Sequence, residues 1–163
     1  MTYRGRLIEP FLVELAQIDT AQTSAAGGYD DVWKAPRVEY SDEGRRQLSV
    51  RYKPPIRLRA QVEQSSHKTQ SQTAAGNAPL SRYTLVLHFA DLERNGLVDS
   101  GTGEPTLRVN DTLRGIYTTS GKLVQTFDPP LFVVEVQTAG FGIGGRRNLC
   151  LLMLADRAQA VRS

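Results

Sequence analysis

The sequence predicts an all-β fold, a small antiparallel β-barrel with long polar loop excursions, and three observations predict it. Strand-sized apolar runs recur along the 163 residues with turn chemistry between them. Residues 56–63 alternate strictly, with Ile56, Leu58, Ala60 and Val62 on one side and Arg57, Arg59, Gln61 and Glu63 on the other, as a half-buried strand does. Two apolar runs, 131–136 and 149–154, flank a segment holding Gly140, Gly142, Gly144 and Gly145, which reads as a β-hairpin. A chain of this length suits one domain, here 1–163, that buries roughly two thirds of its unfolded surface.

In chain order, residues 7–18 fit either a strand, with Phe11, Val13 and Leu15 on one face, or a helix opening at Pro10. The β-branched content favours the strand. Residues 19–31 are turn and loop chemistry and include the Gly27-Gly28 pair. Val32 and Trp33 form a short apolar element. A charged insert over 37–55 reads as an excursion from the core, closed by Pro54-Pro55.

After the alternating strand, residues 64–81 are polar and hold too little apolar surface to order themselves. They read as a flexible loop or functional arm. Residues 82–90 return to a strand, with Tyr83, Leu85, Leu87 and Phe89 on one side. Asn95-Gly96, Gly101-Thr102-Gly103, Asn110-Asp111 and Ser120-Gly121 mark turns. Short strands at 113–117 and 123–127 then lead through Pro129-Pro130 into the hairpin. In its last strand both residue sets, Leu149, Leu151, Met153 and Cys150, Leu152, Leu154, are apolar, so neither face is expected to lie fully in water. That is a first hint of a partner subunit, although a barrel strand under a loop reads the same way.

Composition narrows the function. Basic residues number 20 against 17 acidic, and a net charge of +3 is too small to argue by itself for nucleic acid. No apolar run approaches the roughly eighteen residues of a membrane helix, and the start lacks the apolar stretch of a signal peptide. The expected location is the cytoplasm or a particle assembled from it. The single Cys150 reads as a small buried hydrophobe.

No catalytic constellation emerges, and no cofactor or metal is expected. The glycine run 140–147 leads into a strand, where a phosphate cradle leads into a helix. It reads instead as a hairpin tip presenting Phe141, Ile143, Arg146 and Arg147 to a partner. His67 and His88 lack further ligands at metal spacing, no serine sits in a nucleophile-elbow context, and Asp91, Glu93, Asp99 and Glu104 lack a calcium-loop pattern. Tyr29 and Trp33 read either as interface anchors or as a cap on one barrel end.

The layout resembles a known family, the head-closure or stopper proteins of tailed bacteriophages, also called head–tail adaptor or joining proteins. The matching segments are Gly27-Gly28-Tyr29-Asp30-Asp31-Val32-Trp33, Ala60-Gln61-Val62-Glu63, Tyr83-Thr84-Leu85-Val86-Leu87, Val109-Asn110-Asp111-Thr112-Leu113, Phe132-Val133-Val134-Glu135-Val136 and Leu149-Cys150-Leu151-Leu152. The charged insert and the glycine-rich tip depart from a compact family member. The resemblance implies a homo-oligomeric, twelve-fold ring in the virion neck. Such a ring lies between portal or adaptor and tail proteins, and retains packaged DNA without sequence specificity, catalysis or contact with a membrane. On that reading His67, Lys68, Gln70, Gln72 and Asn77 belong to an arm or channel loop. Two alternatives stand beside it. One is a tail terminator or tube-like ring. The other is a single-stranded nucleic-acid-binding barrel using Tyr83, Phe89, Arg57 and Arg59.

Overall fold

A computed structural model of the chain describes residues 10–25, 29–30, 35–36, 38–40, 46–48, 50–64, 72–73, 76–77, 83–141 and 147–156. In order the elements are β1 (Phe11–Ala16), α1 (Thr20–Ala25), β2 (Tyr29–Asp30), β3 (Ala35–Pro36), β4 (Val38–Tyr40), β5 (Arg46–Leu48), β6 (Ile56–Gln64), β7 (Gln72–Thr73), β8 (Gly76–Asn77), β9 (Tyr83–His88), α2 (Phe89–Arg94), β10 (Thr112–Tyr117), β11 (Leu123–Phe141) and β12 (Arg147–Ala155).

Six strands close into a barrel in the order β1-β10-β11-β12-β9-β6, every neighbouring pair antiparallel. Closure removes the unpaired edges that a six-stranded open sheet would leave. The period-2 pattern decides what goes inside. Val13 and Leu15, Leu58 and Ala60, Leu85 and Leu87, Leu113, Val133, and Cys150, Leu152 and Leu154 are all nearly or fully buried. Leu97 and Leu107 join this cluster from the loop before β10.

The strand reading of the first segment holds: β1 pairs with β6 and β10. The hairpin reading of 131–154 also holds, with Phe132 opposite Ala155 and Phe141 opposite Arg147. Its first strand starts earlier than expected. β11 runs from Leu123 straight through Pro129-Pro130, and a bulge between its pairings at Thr126 and Leu131 absorbs the prolines. The upstream part pairs with β10 and the downstream part with both β10 and β12.

Two helices lie where none was expected. Asp19 opens α1: its side chain accepts a hydrogen bond from Gln22 N–H at 3.1 Å and its carbonyl accepts one from Thr23 N–H at 2.9 Å. The predicted strand 82–90 stops at His88, because Phe89 and Leu92, three apart, turn into the core together as a helix. Gly96, with φ +68°, allows the chain to reverse after α2.

The charged insert is only partly an excursion. β4 and β5 form a small antiparallel pair, but the end of the insert returns to the barrel. There Arg51 C=O accepts from Asp19 N–H, and Lys53 N–H donates to Gln17 C=O, each at 2.8 Å. Within the polar loop, Gln72 pairs with Asn77 and Thr73 with Gly76.

Candidate interaction surface

The candidate site on this barrel is its exterior, and its geometry follows from the same alternation that fills the core. On β12 the residues between the buried ones, Leu149, Leu151 and Met153, point outward and are half-buried. Cross-strand register flanks Leu149 with His88 and Ala139, Leu151 with Val86 and Gln137, and Met153 with Thr84 and Glu135. The apolar ones among them, Leu149, Leu151, Met153, Val86 and Ala139, are neither in the core cluster nor among the hydrophobics packed against it. The result is an apolar wall, with Val86 and Ala139 broadening the β12 stripe. Beside Met153, the exposed Glu135 accepts a hydrogen bond from the Gln137 side-chain amide.

The wall around β1 is built differently. Leu12 lies outward between Arg59 and Tyr117, and Glu14 between Arg57 and Gly115. The Arg57 guanidinium stacks 4.0 Å from the centre of the Tyr117 ring and pairs with Glu14 at 3.3 Å. Gly115 leaves room for the stack. A Cβ there would stand 3.2 Å from the Tyr117 ring and 3.3 Å from Gln125 C=O, so the ring lies over the glycine as aromatic cover for a bare strand position. Arg59 extends the same wall as an exposed cation.

At one end of the barrel a buried polar staple holds the strands in register. Asp111, 1 % exposed, accepts from Ile18 N–H at 2.8 Å on Oδ1 and from Arg108 N–H at 2.7 Å on Oδ2. Its backbone carbonyl accepts from Val133 N–H, Asn110 N–H donates to Val133 C=O, and the Tyr52 hydroxyl donates to Asn110 C=O at 3.2 Å. Asn110 adopts φ +72°, a left-handed conformation that Asn tolerates better than most residues. Burial pushes the Asp111 carboxyl up to about 6, against the two backbone N–H bonds and the nearby Arg108 and Lys53 charges. Burial likewise pushes Tyr52 up to about 12, with the Asp111 charge adding to the rise.

Several sequence-nominated residues can now be placed. Arg147, the first residue of β12, is ion-paired with Glu104, so the 97–107 loop holds its guanidinium. That pairing lowers the Glu104 carboxyl and raises the Arg147 guanidinium. Asp99 also sits below the usual carboxylate range, because its side chain accepts N–H bonds from Thr102 and Gly101. Phe141 ends β11 opposite Arg147, and Tyr29 pairs with Pro36. Gln72 and Asn77 face each other in the β7–β8 pair. Trp33, Ile143, Arg146, His67, Lys68 and Gln70 lie outside the described residues.

The aromatics proposed as stacking platforms for single-stranded nucleic acid are not on the surface. Tyr83 and Phe89 are 9 % and 7 % exposed, and the Tyr83 ring meets Phe127 edge-on with centroids 5.4 Å apart. Arg57 is engaged by Tyr117 and Glu14. Cys150 is fully buried, and burial pushes its thiol up to about 11, which keeps it protonated and unreactive. Among the described residues no three His, Cys, Asp or Glu side chains gather in metal-holding geometry, and no helix is long and apolar enough to cross a membrane.

Sequence reasoning missed Asp111 as a staple because Asn-Asp between apolar runs reads as a solvated turn. Its weak signal is the apolar sequence on both sides, Leu107 and Leu113, which leaves little room for an exposed loop. It also missed the Arg57–Tyr117 contact, since the partners sit on non-adjacent strands 60 positions apart in sequence. Comparison with known proteins finds no matching family model, no matching curated protein and no matching solved structure.

Proposed function

We propose that this chain is a structural ring component of a bacteriophage neck, a head-closure protein that joins the portal or its adaptor to the tail and helps to retain packaged DNA. The observation that carries the proposal is the apolar outer wall of a closed barrel, Leu149, Leu151 and Met153 with Val86 and Ala139. This surface is redundant for the core and suited to burial between subunits. The segments that resemble stopper proteins supply the barrel strands β6, β9, β11 and β12. A ring subunit needs two lateral surfaces as well as axial ones, so outward apolar and guanidinium-bearing walls on one small barrel suit that role.

In this reading the ring encloses the DNA channel, residues 64–81 serve as an arm or channel loop, and the work is mechanical closure without catalysis. Deleting residues 66–78 tests it. The barrel strands stay out of the deletion, so the shortened chain is expected to fold, while particles built with it lose DNA or fail to join tails. Unchanged infectious yield contradicts the proposal. A ring order other than twelve-fold in purified particles moves the protein to the tail-terminator or tube-like class.

A further inference from the structure

The two outer walls described above lie on opposite sides of the molecule. In the closed order β1-β10-β11-β12-β9-β6, β12 is three strands from β1 in either direction, so the apolar β12 wall and the arginine-bearing β1 wall face opposite ways. Their chemistry is complementary. The β12 wall offers Leu149, Leu151 and Met153 beside the exposed carboxylate of Glu135. The β1 wall offers the half-buried Leu12 and the Tyr117–Arg57 stack beside the exposed cation of Arg59. Two copies of the β12 wall set face to face would leave Glu135 without the Arg59 that the β1 wall offers. A β12 wall against a β1 wall brings together opposite charges and covers Leu12.

We infer that the β12 wall of one copy docks on the β1 wall of the next, a head-to-tail contact between copies of this chain. This rests on the ring reading for its closure into a circle and names the lateral interface of that ring. The geometry suits a large ring. Neighbours in a twelve-fold ring are rotated by about 30°, so the two lateral surfaces of a subunit must lie close to opposite one another. Strand order places them so. The Arg57–Tyr117 stack holds a flat ring in place on the receiving wall, which lowers the ordering cost of association.

Cysteine cross-linking tests the pairing in the full-length chain. Leu12 and Leu151 are outward and half-buried, so both positions tolerate cysteine, and the native Cys150 is buried and does not compete. The double variant Leu12→Cys/Leu151→Cys is expected to give a disulfide ladder extending beyond dimers under mild oxidation at assembly concentration. Each single variant should give none, because a head-to-tail contact puts unlike positions together. Dimers from Leu151→Cys alone would mean a face-to-face contact and overturn the inference. Absence of a ladder in rings seen by electron microscopy would also overturn it and leave the ring reading standing. Absence of both ladder and rings under every assembly condition, including inside particles, would remove the two together.

A charge exchange gives an independent check. Arg59→Glu and Glu135→Arg are each expected to weaken association about tenfold, and the double exchange to recover most of the loss. Thermal midpoints within error of the parent confirm that the barrel is intact. Additive weakening in the double variant argues against the proposed juxtaposition.

Discussion

The two faces of β12 carry side chains of nearly identical chemistry in opposite circumstances. Cys150, Leu152 and Leu154 are fully buried in the barrel, whereas Leu149, Leu151 and Met153, interleaved with them, stand outside the core cluster. Hydrophobicity therefore does not tell which residues hold this strand in place. Pleat and register do. The inward set is tied to folding and the outward set stands apart from the core, so the two can be broken separately.

The largest effect should come from the inward set. Leu152→Ala is expected to cost about 3 kcal/mol of stability, measured by denaturant unfolding, because the closed barrel cannot collapse around the void. Leu151→Ala, one residue away, should cost under about 1 kcal/mol. Similar losses at both sites would erase the distinction between the faces. Next in size is the polar staple. Asp111→Ala leaves the N–H groups of Ile18 and Arg108 without their partner, and should cost about 2 kcal/mol or more.

The staple also sharpens the comparison through pH. The folded-state value of Asp111, about 6, lies above its ordinary value of 3.8, so between those values the folded chain binds more proton than the unfolded one. Stability from this group is full below about pH 4 and declines as pH rises through about 6. Asp99 and Glu104, lowered from 3.8 and 4.5, act in the opposite sense, at and below those values. Unfolding midpoints measured from pH 4 to 7 should fall with rising pH in the parent, and the Asp111→Asn variant should lose that slope. The smallest effect belongs to the outer wall: Arg57→Ala should cost about 0.5–1 kcal/mol, since it removes one exposed cation–π contact and one exposed ion pair.

Much of the barrel was legible because alternation is local. Ile56 to Glu63 announces its faces within eight residues, and the two runs around the glycine-rich tip announce their pairing. The helices were not legible. Phe89 continues the alternation of β9 in sequence, and only the tertiary position of Leu92 shows that the chain has begun to turn. The same limit applied to the surface. The excess apolar residues on β12 were visible as a hint of a partner. The opposed β1 wall was not, because Leu12, Arg59 and Tyr117 come together only through strand pairing between distant segments. In the sequence Asp111 reads as a turn residue, because burial of a carboxylate depends on backbone N–H groups supplied from 93 and 3 residues away.

The most direct test is to locate the chain in the particle. Electron cryomicroscopy of virions assembled with a C-terminally labelled copy should show the label as a ring at the junction of head and tail, one density per subunit around the DNA channel. Label absent from the junction, or found on the capsid surface or the tail tip, would contradict the account.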